Sequence, residues 1–445
     1  MRIKCLFIFY FLLVSVPTTV YAREYSLNDL YRLALERSET IKIAEENLYI
    51  SERGKDRAMA VLFPTLSAFA NHTEYTKEEL KNTAVLQPER TNEWGLRLDQ
   101  SLSLSGREFT AFRIAGEGIK QSSYDLESIK ERYLLNVASS YYETLKSEKA
   151  LEIAGANVER LTLHRNAAWA RLKAGSATKT DLLRAEAELA GAESELIISE
   201  NRVRLALAVL ARTVGLRGDY DIKEPRHEKE IKTRRQELID ALKGDCLLTE
   251  LDCIKEKAFS ERPEIKRAGT QKQIAEYEVK YSKGAYWPSL SIEGGYVRQE
   301  SEPSNSFRPD ESIYGAVKIK FPFFEGGLRT AEVREARARL RQAEHNLADI
   351  KHSVGVEVED SYLNLLTVSA VIDRLQAEVK YARDNFNAVT KQFQYGLSNS
   401  IDVMDANTLL TTAERKLAGA EYDYQLAILK LKRATGTLLK SVAGY

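Results

Sequence analysis

Two stretches of the chain carry a heptad spacing of apolar residues that only a very long α-helix satisfies. They cover residues about 107–173 and 327–394, and neither contains a proline. At about 1.5 Å per residue, each would be a rod of roughly 100 Å. Sustained alternation of three- and four-residue steps predicts coiled-coil packing, with the apolar stripe as its core. In the second stretch the stripe contains Val333, Ala336, Leu340, Ala343, Leu347, Ile350 and Val354.

The same pattern occurs twice along the chain. Residues 63–67 match residues 287–291, and Gly175 matches Gly396. Each copy reads as helix, strand, loop, strand, very long helix, tight turn and long helix, which indicates an internal duplication. We predict a first repeat over 23–217, with strands at about 64–78 and 93–104 and long helices at about 107–173 and 178–217; a charged segment over 218–250; a second repeat over 251–438, with strands at about 288–299 and 312–322 and long helices at about 327–394 and 400–438; and a short tail over 439–445.

The N-terminus reads as a secretory signal peptide. Arg2 and Lys4 precede an apolar run, and Val20-Tyr21-Ala22 places small residues at the positions that signal peptidase reads. We predict a signal peptide over 1–22, because the run is too short for the alternative, an uncleaved anchor helix. No later stretch of ~20 apolar residues could cross a membrane as a helix. We therefore expect an exported protein without a transmembrane helix.

The predicted strands alternate between an apolar and a polar face. In the first repeat, Trp94, Leu96 and Leu98 alternate with Arg97 and Asp99. A period of two with one apolar face fits a strand between lipid and water, and aromatic residues at the strand ends favour a girdle at the membrane interface. The alternative is a strand in a soluble sandwich, and strand length alone does not separate the two.

Four strands are too few to cross a bilayer alone, because an open sheet leaves backbone groups that lipid cannot satisfy. Known barrels have about eight or more strands, so at least two chains would have to close one barrel, and three would supply about twelve strands. The long helices are too long and too polar for any membrane and would project into the periplasm. We predict a fold that is mainly α with transmembrane β: a long coiled-coil α-helical barrel, with the strands of each chain contributing to a β-barrel.

Cys246 and Cys253 are the cysteines left after the predicted cleavage. In one continuous helix they would lie ~10 Å apart, beyond the ~7 Å that separates the Cα atoms of a disulfide. Gly244 and Asp245 favour a loop at Cys246, and an exported protein meets an oxidising compartment. We predict a disulfide between the two cysteines, with free thiols as the alternative.

Several motifs, taken together and in order, carry a family resemblance. They are the two matching strand entries, Phe323-Phe324-Glu325-Gly326-Gly327 at a strand-to-helix junction, and the turns Ala174-Gly175 through Asp181 and Tyr395-Gly396-Leu397-Ser398 through Asp402. With these motifs the mature chain resembles the TolC-like outer-membrane efflux protein family over essentially its whole length. The resemblance implies a homotrimer in the cell outer membrane, in contact with its lipid. It also implies a twelve-stranded β-barrel, a long periplasmic tunnel of twelve helices, and an equatorial belt that would include 218–250.

The resemblance further implies that acidic residues ring the mouth of the tunnel at its periplasmic tip. Asp402 and Asp405 are three residues apart, which places both on one face of a helix. Threefold symmetry would gather these carboxylates near one axis, where they would form a pore constriction that favours cations. The alternative for Asp402 is an N-cap role at the helix start. We expect Asp181 to cap or brace its own turn.

Some family members hold the tip closed with a Tyr hydroxyl and an Arg. The matching positions here are Phe393, which has no hydroxyl, and Ser398, which has no charge. We therefore expect this polar latch to be absent, with coiled-coil packing holding the mouth until an adaptor binds. The tip loops are predicted docking sites for that adaptor, although each glycine could instead simply end a helix. The loop residues are Gly175, Ser176, Ala177, Gly396, Leu397 and Ser398.

Composition and motifs argue against other functions. Lys and Arg number 65, as do Asp and Glu, so no basic excess indicates nucleic acid. The histidines lack ligand spacing and no catalytic motif is present, so we expect no enzyme activity, cofactor or metal. We expect a passive channel that passes small molecules, such as drugs, from a periplasmic adaptor and an inner-membrane pump of the RND or ABC type to the exterior. The alternatives are the duct of a type I protein secretion system and, less favoured, a pore-less periplasmic scaffold.

Overall fold

The computed structural model describes residues 23–76, 79–81, 84–217, 220–224, 251–303 and 309–443. The helices are α1 Leu27–Arg37, α2 Glu39–Ala60, α3 Arg107–Lys173, α4 Lys179–Val214, α5 Leu251–Glu261, α6 Pro263–Gly284, α7 Leu328–Gln394, α8 Ser400–Ala434 and α9 Leu438–Ala443. The strands are β1 Arg23–Tyr25, β2 Thr65–Glu74, β3 Glu79–Lys81, β4 Ala84–Gln87, β5 Arg90–Ser103, β6 Tyr220–Ile222, β7 Ser289–Glu302 and β8 Glu311–Lys320. Among these residues no helix is both long enough and apolar enough to cross a membrane.

The two longest helices, α3 and α7, cover the stretches with heptad spacing, and each contains 67 residues. Each begins after a glycine in the left-handed region, Gly106 with φ 71° and Gly327 with φ 89°. Any other residue there would be strained. At about 1.5 Å per residue both helices extend roughly 100 Å, so the turns at their far ends lie well away from the strands.

The long helices form two antiparallel hairpins. α3 packs against α4, and α7 packs against α8. The seam of the second hairpin buries Val354 and Val358 of α7 against Ala427 and Leu431 of α8. α3 also packs along α8, so the two hairpins lie side by side within one chain.

The second helix of each hairpin ends earlier than predicted. α4 ends at Val214 rather than 217, because Gly215 turns the chain with a φ of 77°. α8 ends at Ala434 rather than 438, because Gly436 has a φ of 70°. The chain then starts α9 at Leu438, so residues 439–443 of the predicted tail are helical and pack on α3.

Among the described residues, four of the strands form one antiparallel sheet in the order β2-β5-β7-β8, with β2 and β8 at its open edges. Its register pairs Leu66 with Leu98 and Glu293 with Ala316. The first strand is shorter than predicted, ending at Glu74, and the second starts earlier, at Arg90. The loop predicted between them contains the short hairpin β3–β4. Polar residues near strand ends carry little periodic signal, and the predicted strand ends therefore differ from the observed ones by a few residues.

The two faces of the sheet differ in chemistry. Ile313, Val317 and Ile319 are 85%, 71% and 68% exposed on one face of β8, and apolar residues of the other strands share that face. On the opposite face Glu293 is only 8% exposed, beneath other polar side chains. A wide apolar face that none of the described residues covers is the arrangement of a lipid-facing strand.

The remaining elements surround the helices near the sheet-proximal half. One core packs Leu30 of α1 and Leu438 of α9 against Tyr141 of α3. Within the predicted segment 218–250, residues 220–222 form β6, which pairs with β1 in parallel; residues 225–250 and the predicted signal peptide lie outside the described residues. Cys253 is disulfide-bonded. Cys246 also lies outside the described residues, so its pairing with Cys253 stays a prediction.

Candidate functional site

Two helical turns form the end of the molecule that lies farthest from the sheet. In the first, Gly175 adopts a φ of 71° after α3, and Thr178 is the N-cap residue of α4. The Asp181 amide donates to the Thr178 hydroxyl at 3.2 Å, and the Thr178 amide donates to the Asp181 carboxylate at 2.9 Å. This reciprocal pair is a capping box, which satisfies amides that a helix start leaves free. The hydrogen bonds from Thr178 lower the pKa of Asp181.

The second turn repeats this arrangement. Gly396 has a φ of 80° after α7, and Asn399 is the N-cap residue of α8. The Asp402 amide donates to the Asn399 side chain at 2.9 Å, and the Asn399 amide donates to the Asp402 carboxylate at 3.1 Å. Asp402 is therefore the third residue of a capping box, while Asp405, one turn later, is exposed. The Ser398 hydroxyl donates to the Val389 carbonyl at 3.3 Å.

Phe393 lies inside the tip and not on its surface, with only 3% of its surface exposed. Its ring centroid lies 4.9 Å from the His164 ring and 4.5 Å from the Arg171 guanidinium carbon. His164 and Arg171 both belong to α3, two helical turns apart. The second-repeat turn is therefore anchored by an aromatic side chain held between two residues of the first repeat.

Arg171 joins the two tip turns. One of its nitrogens, Nη1, donates to the Phe393 carbonyl at 2.8 Å, and Nη2 donates to the Ser176 carbonyl at 3.4 Å. Phe393 is in the last turn of α7, where a cation is favoured by the negative end of the helix dipole. A cation over an aromatic face adds attraction to this contact.

His164 makes the adjoining contact. Its Nε2 lies 2.8 Å from the hydroxyl of Ser400, the first residue of α8. Burial lowers the pKa of His164, and the nearby Asp181 carboxylate opposes that shift. A buried neutral imidazole that shares a hydrogen bond with a hydroxyl is stable, whereas a buried imidazolium here is not.

Farther from the tip, the seam between α3 and α8 is also polar. The Arg160 guanidinium donates to the Asn407 side chain at 2.9 Å and to the Thr411 hydroxyl at 3.0 Å. The Asn407 amide donates to Asn157 at 2.7 Å. Burial lowers the pKa of Arg160, although the Glu414 carboxylate opposes the shift. The hairpins are thus joined by specific hydrogen bonds near the tip and by apolar packing nearer the sheet.

The structure brings the predicted tip residues together at one end, but most of them are surface residues. Leu397 is exposed, as are Gly175, Ser176 and Gly396, while Ala177 and Ser398 are half-buried. Sequence analysis missed His164 and Arg171, because nothing in a heptad pattern identifies a partner more than two hundred residues away. In the described residues, no group of His, Cys, Asp and Glu is arranged to hold a metal ion.

Comparison with known proteins gives one family match and a consistent set of relatives. The profile of the family described as "Outer membrane efflux protein" matches residues 30–216 and 255–437. The chain is 23% identical over 323 residues to the outer membrane protein TolC of Vibrio cholerae, covering 72% of this chain and 71% of that protein. It is 22% identical over 422 residues to the alkaline protease secretion protein AprF of Pseudomonas aeruginosa, covering 93% and 84%. The crystal structure of CusC matches with a TM-score of 0.80 at 18% identity, covering 93% of each chain.

Proposed function

The chain belongs to the outer membrane efflux protein family, and from that premise we propose that it is a passive channel through the outer membrane. It would pass substrates from a periplasmic adaptor and an inner-membrane pump to the cell exterior. The substrates we favour are small molecules, such as drugs or other toxic compounds. A water-filled duct of this kind carries out no chemistry, so the proposal assigns no catalytic residue.

The open edges of the four-stranded sheet carry this proposal. β2 and β8 each have one side that no strand in the described chain pairs with, while the apolar face of the sheet is exposed. Lipid satisfies neither an open strand edge nor a buried charge, so such a sheet is stable in a bilayer only when copies of it close into a barrel. Three copies give about twelve strands, within the range of known barrels. We therefore propose a homotrimer whose helices continue the barrel as a periplasmic tunnel.

The proposed resting state is closed at the tip. In a trimer the three copies of Asp405, with Asp402 beside them, would face one axis and favour cations over anions. The polar latch of some relatives requires a hydroxyl and a charge that Phe393 and Ser398 lack. We propose that the contacts of Phe393 with His164 and Arg171 brace each chain's tip, and that coiled-coil packing keeps the mouth shut.

The exposed tip loops are the proposed docking surface for the adaptor. The loop residues are Gly175, Ser176 and Ala177 of the first turn and Gly396 and Leu397 of the second. Arg171 Nη2 lies between the two turns, hydrogen-bonded to the Ser176 carbonyl and 3.7 Å from a Cβ placed on Gly396. Covering the exposed apolar side chain of Leu397 with a partner would be favourable, because it removes apolar surface from water. Binding there would act directly on the turns that close the mouth.

A second candidate function is the duct of a type I protein secretion system. One observation favours it: a relative that matches 93% of this chain has a name that refers to secretion of an alkaline protease. Other relatives have names that refer to pyoverdine export and solvent efflux. A passive duct serves either cargo, so the pump encoded beside this chain would decide between the two functions.

Planar-bilayer recordings of the purified protein test the channel proposal. We expect heat-stable trimers in outer-membrane extracts and small, rarely opening currents without an adaptor. Asp402→Asn combined with Asp405→Asn should reduce the preference for cations, and Asp181→Asn is the matched control because it alters the equivalent cap of the other turn. Absence of any current, or a monomer without pore activity, would contradict the proposal in favour of the scaffold. A wide pore that is always open would contradict the closed resting state.

A further inference from the structure

The polar face of the sheet carries a second group of charged residues, far from the tip. Along β5 and β7 the polar face is formed by odd-numbered residues, and along β8 by even-numbered ones. Most residues of this face are uncharged, and many of them carry hydroxyl groups. The cations on the paired residues of this face are Arg97, Lys318 and Lys320, and the anions are Glu93, Asp99 and Glu293.

Glu293 is the centre of this set. Its Oε1 accepts hydrogen bonds from the Arg97 guanidinium and, at 3.1 Å, from the Tyr314 hydroxyl. Its Oε2 accepts a hydrogen bond from the Lys318 ammonium. The donors come from β5 and β8, the strands on either side of β7. One carboxylate therefore holds two cations from two neighbouring strands against the wall.

The same network includes the second anion of the middle of the sheet. The Arg97 guanidinium also lies 3.2 Å from the Asp99 carboxylate. Because Arg97 and Lys318 are balanced by Asp99 and Glu293 over a few ångströms, their fields largely cancel beyond about one Debye length, ~10 Å at 0.1 M salt.

Tyr314 fits into this network because Gly295 leaves room for its ring. A Cβ on Gly295 would lie 2.6 Å from Cε1 of Tyr314. The ring therefore lies along the wall and its hydroxyl reaches Glu293. The Tyr314 ring and the two cations bonded to Glu293, Arg97 and Lys318, are thus held close to the sheet.

We infer that Glu293 balances the positive charge on the wall of the β-barrel lumen, so that the barrel itself does not select ions by charge. This inference rests on the proposed function, because it requires the polar face to line a water-filled pore. Charge preference would then be set at the tip, and anionic or cationic solutes that pass the tip would leave through the barrel without binding to its wall. Loss of Glu293 would leave one positive charge of this network uncompensated in every copy of the chain, because Asp99 would still balance Arg97 but Lys318 would lose its partner.

Reversal potentials in planar bilayers under a KCl gradient test this inference. The full-length protein carrying Asp402→Asn and Asp405→Asn serves as background, so that the tip carboxylates do not mask the barrel. Glu293→Gln should shift the cation-to-anion permeability ratio toward anions by about two-fold or more, because each chain then places one uncompensated positive charge on the pore wall. Lys318→Gln should shift it in the opposite direction.

Glu300→Gln is the matched control. Glu300 is on the same strand but on the opposite face, where it pairs with Arg298 at 3.3 Å, so its loss should not alter the ratio. Unchanged ratios for both Glu293→Gln and Lys318→Gln, with normal current, would overturn the inference while leaving the channel proposal intact. A complete absence of current in the background protein would instead contradict the channel proposal. If Glu293→Gln does not assemble into trimers, the Lys318→Gln ratio decides the matter alone.

Discussion

The guanidinium of Arg171 lies 4.5 Å from the centre of the Phe393 ring and donates a hydrogen bond to the carbonyl of that same residue at 2.8 Å. Side chain and backbone of one residue in the second repeat are thus held by one side chain of the first. A tyrosine at this position would bury a hydroxyl that needs a partner, whereas phenylalanine needs none. Phenylalanine is therefore better suited than tyrosine to be an apolar anchor inside the tip.

Removal of Arg171 should loosen the tip. Arg171→Ala deletes the hydrogen bonds to the Phe393 and Ser176 carbonyls and a cation–π contact, together about 2 kcal/mol. We expect the probability of spontaneous opening in planar bilayers to rise by roughly 30-fold, because each ~1.4 kcal/mol corresponds to a factor of ten. Lys173→Ala is the control. Among the described residues of the tip, the Lys173 ammonium lies over one aromatic ring, that of Trp169 on the same helix, at 3.8 Å. Equal opening of the two variants would contradict a bracing role for Arg171.

The tip should also respond to acid. Burial lowers the pKa of His164 below its usual value of 6.5, so the stability it contributes is present above pH 6.5 and is lost as pH falls through the lowered pKa. We expect more frequent opening at about pH 5 than at pH 7. His164→Gln should abolish this difference, whereas a variant of the exposed His345, His345→Gln, should keep it. A pH response that survives in His164→Gln would assign it to another group.

Glu131 of α3 should destabilise the protein at neutral pH. The residue is 3% exposed, and within the described residues its Oε2 has no hydrogen-bond partner. Burial, together with the nearby Glu264, raises its pKa to about 7. A raised pKa means that stability is fully present below the unfolded value, near 4.5, and is lost as pH rises through 7.

Glu131→Gln should therefore stabilise the protein above pH 7, by up to ~3 kcal/mol, and flatten the dependence of thermal stability on pH between about 4.5 and 7. Thermal unfolding followed by circular dichroism across this range measures the effect. Glu143→Gln, an exposed position on the same helix, should leave the pH dependence unchanged. A parallel pH profile for wild type and Glu131→Gln would refute the assignment.

Gly295 should determine the width of the barrel lumen. In Gly295→Ala the new methyl group would collide with Tyr314, so the ring has to turn away from the wall and the clash costs about 1–3 kcal/mol. We expect lower trimer stability and a smaller single-channel current in the open state. Gly315→Ala is the control, because no atom of the described residues lies within 4 Å of a Cβ there. Restoration of the current by Tyr314→Ala in the Gly295→Ala background would confirm the cause.

The sequence predicted the long helices well because their signal is repeated over many turns: the stripe of α7 continues from Val333 beyond Val354 without a break. Strand ends were less accurate, since polar residues such as Glu74 and Arg90 fit a loop as well as a strand. The contacts of Phe393 with His164 and Arg171 could not be predicted, because periodicity assigns a residue to a face without identifying what that face meets. Glu293 was missed for the same reason.

The equal length of α3 and α7, 67 residues each, has a consequence for how such a protein can change over evolution. The two tip turns meet through Arg171 and Phe393, so a residue inserted into one helix alone would rotate and displace its turn relative to the other. Only matched insertions of about seven residues in α3 and α7, and in their hairpin partners α4 and α8, would preserve both the coiled-coil register and the contact, and each set would lengthen the duct by about 10 Å. The distance that the duct spans in the periplasm is therefore expected to vary in discrete steps, with both repeats changing together.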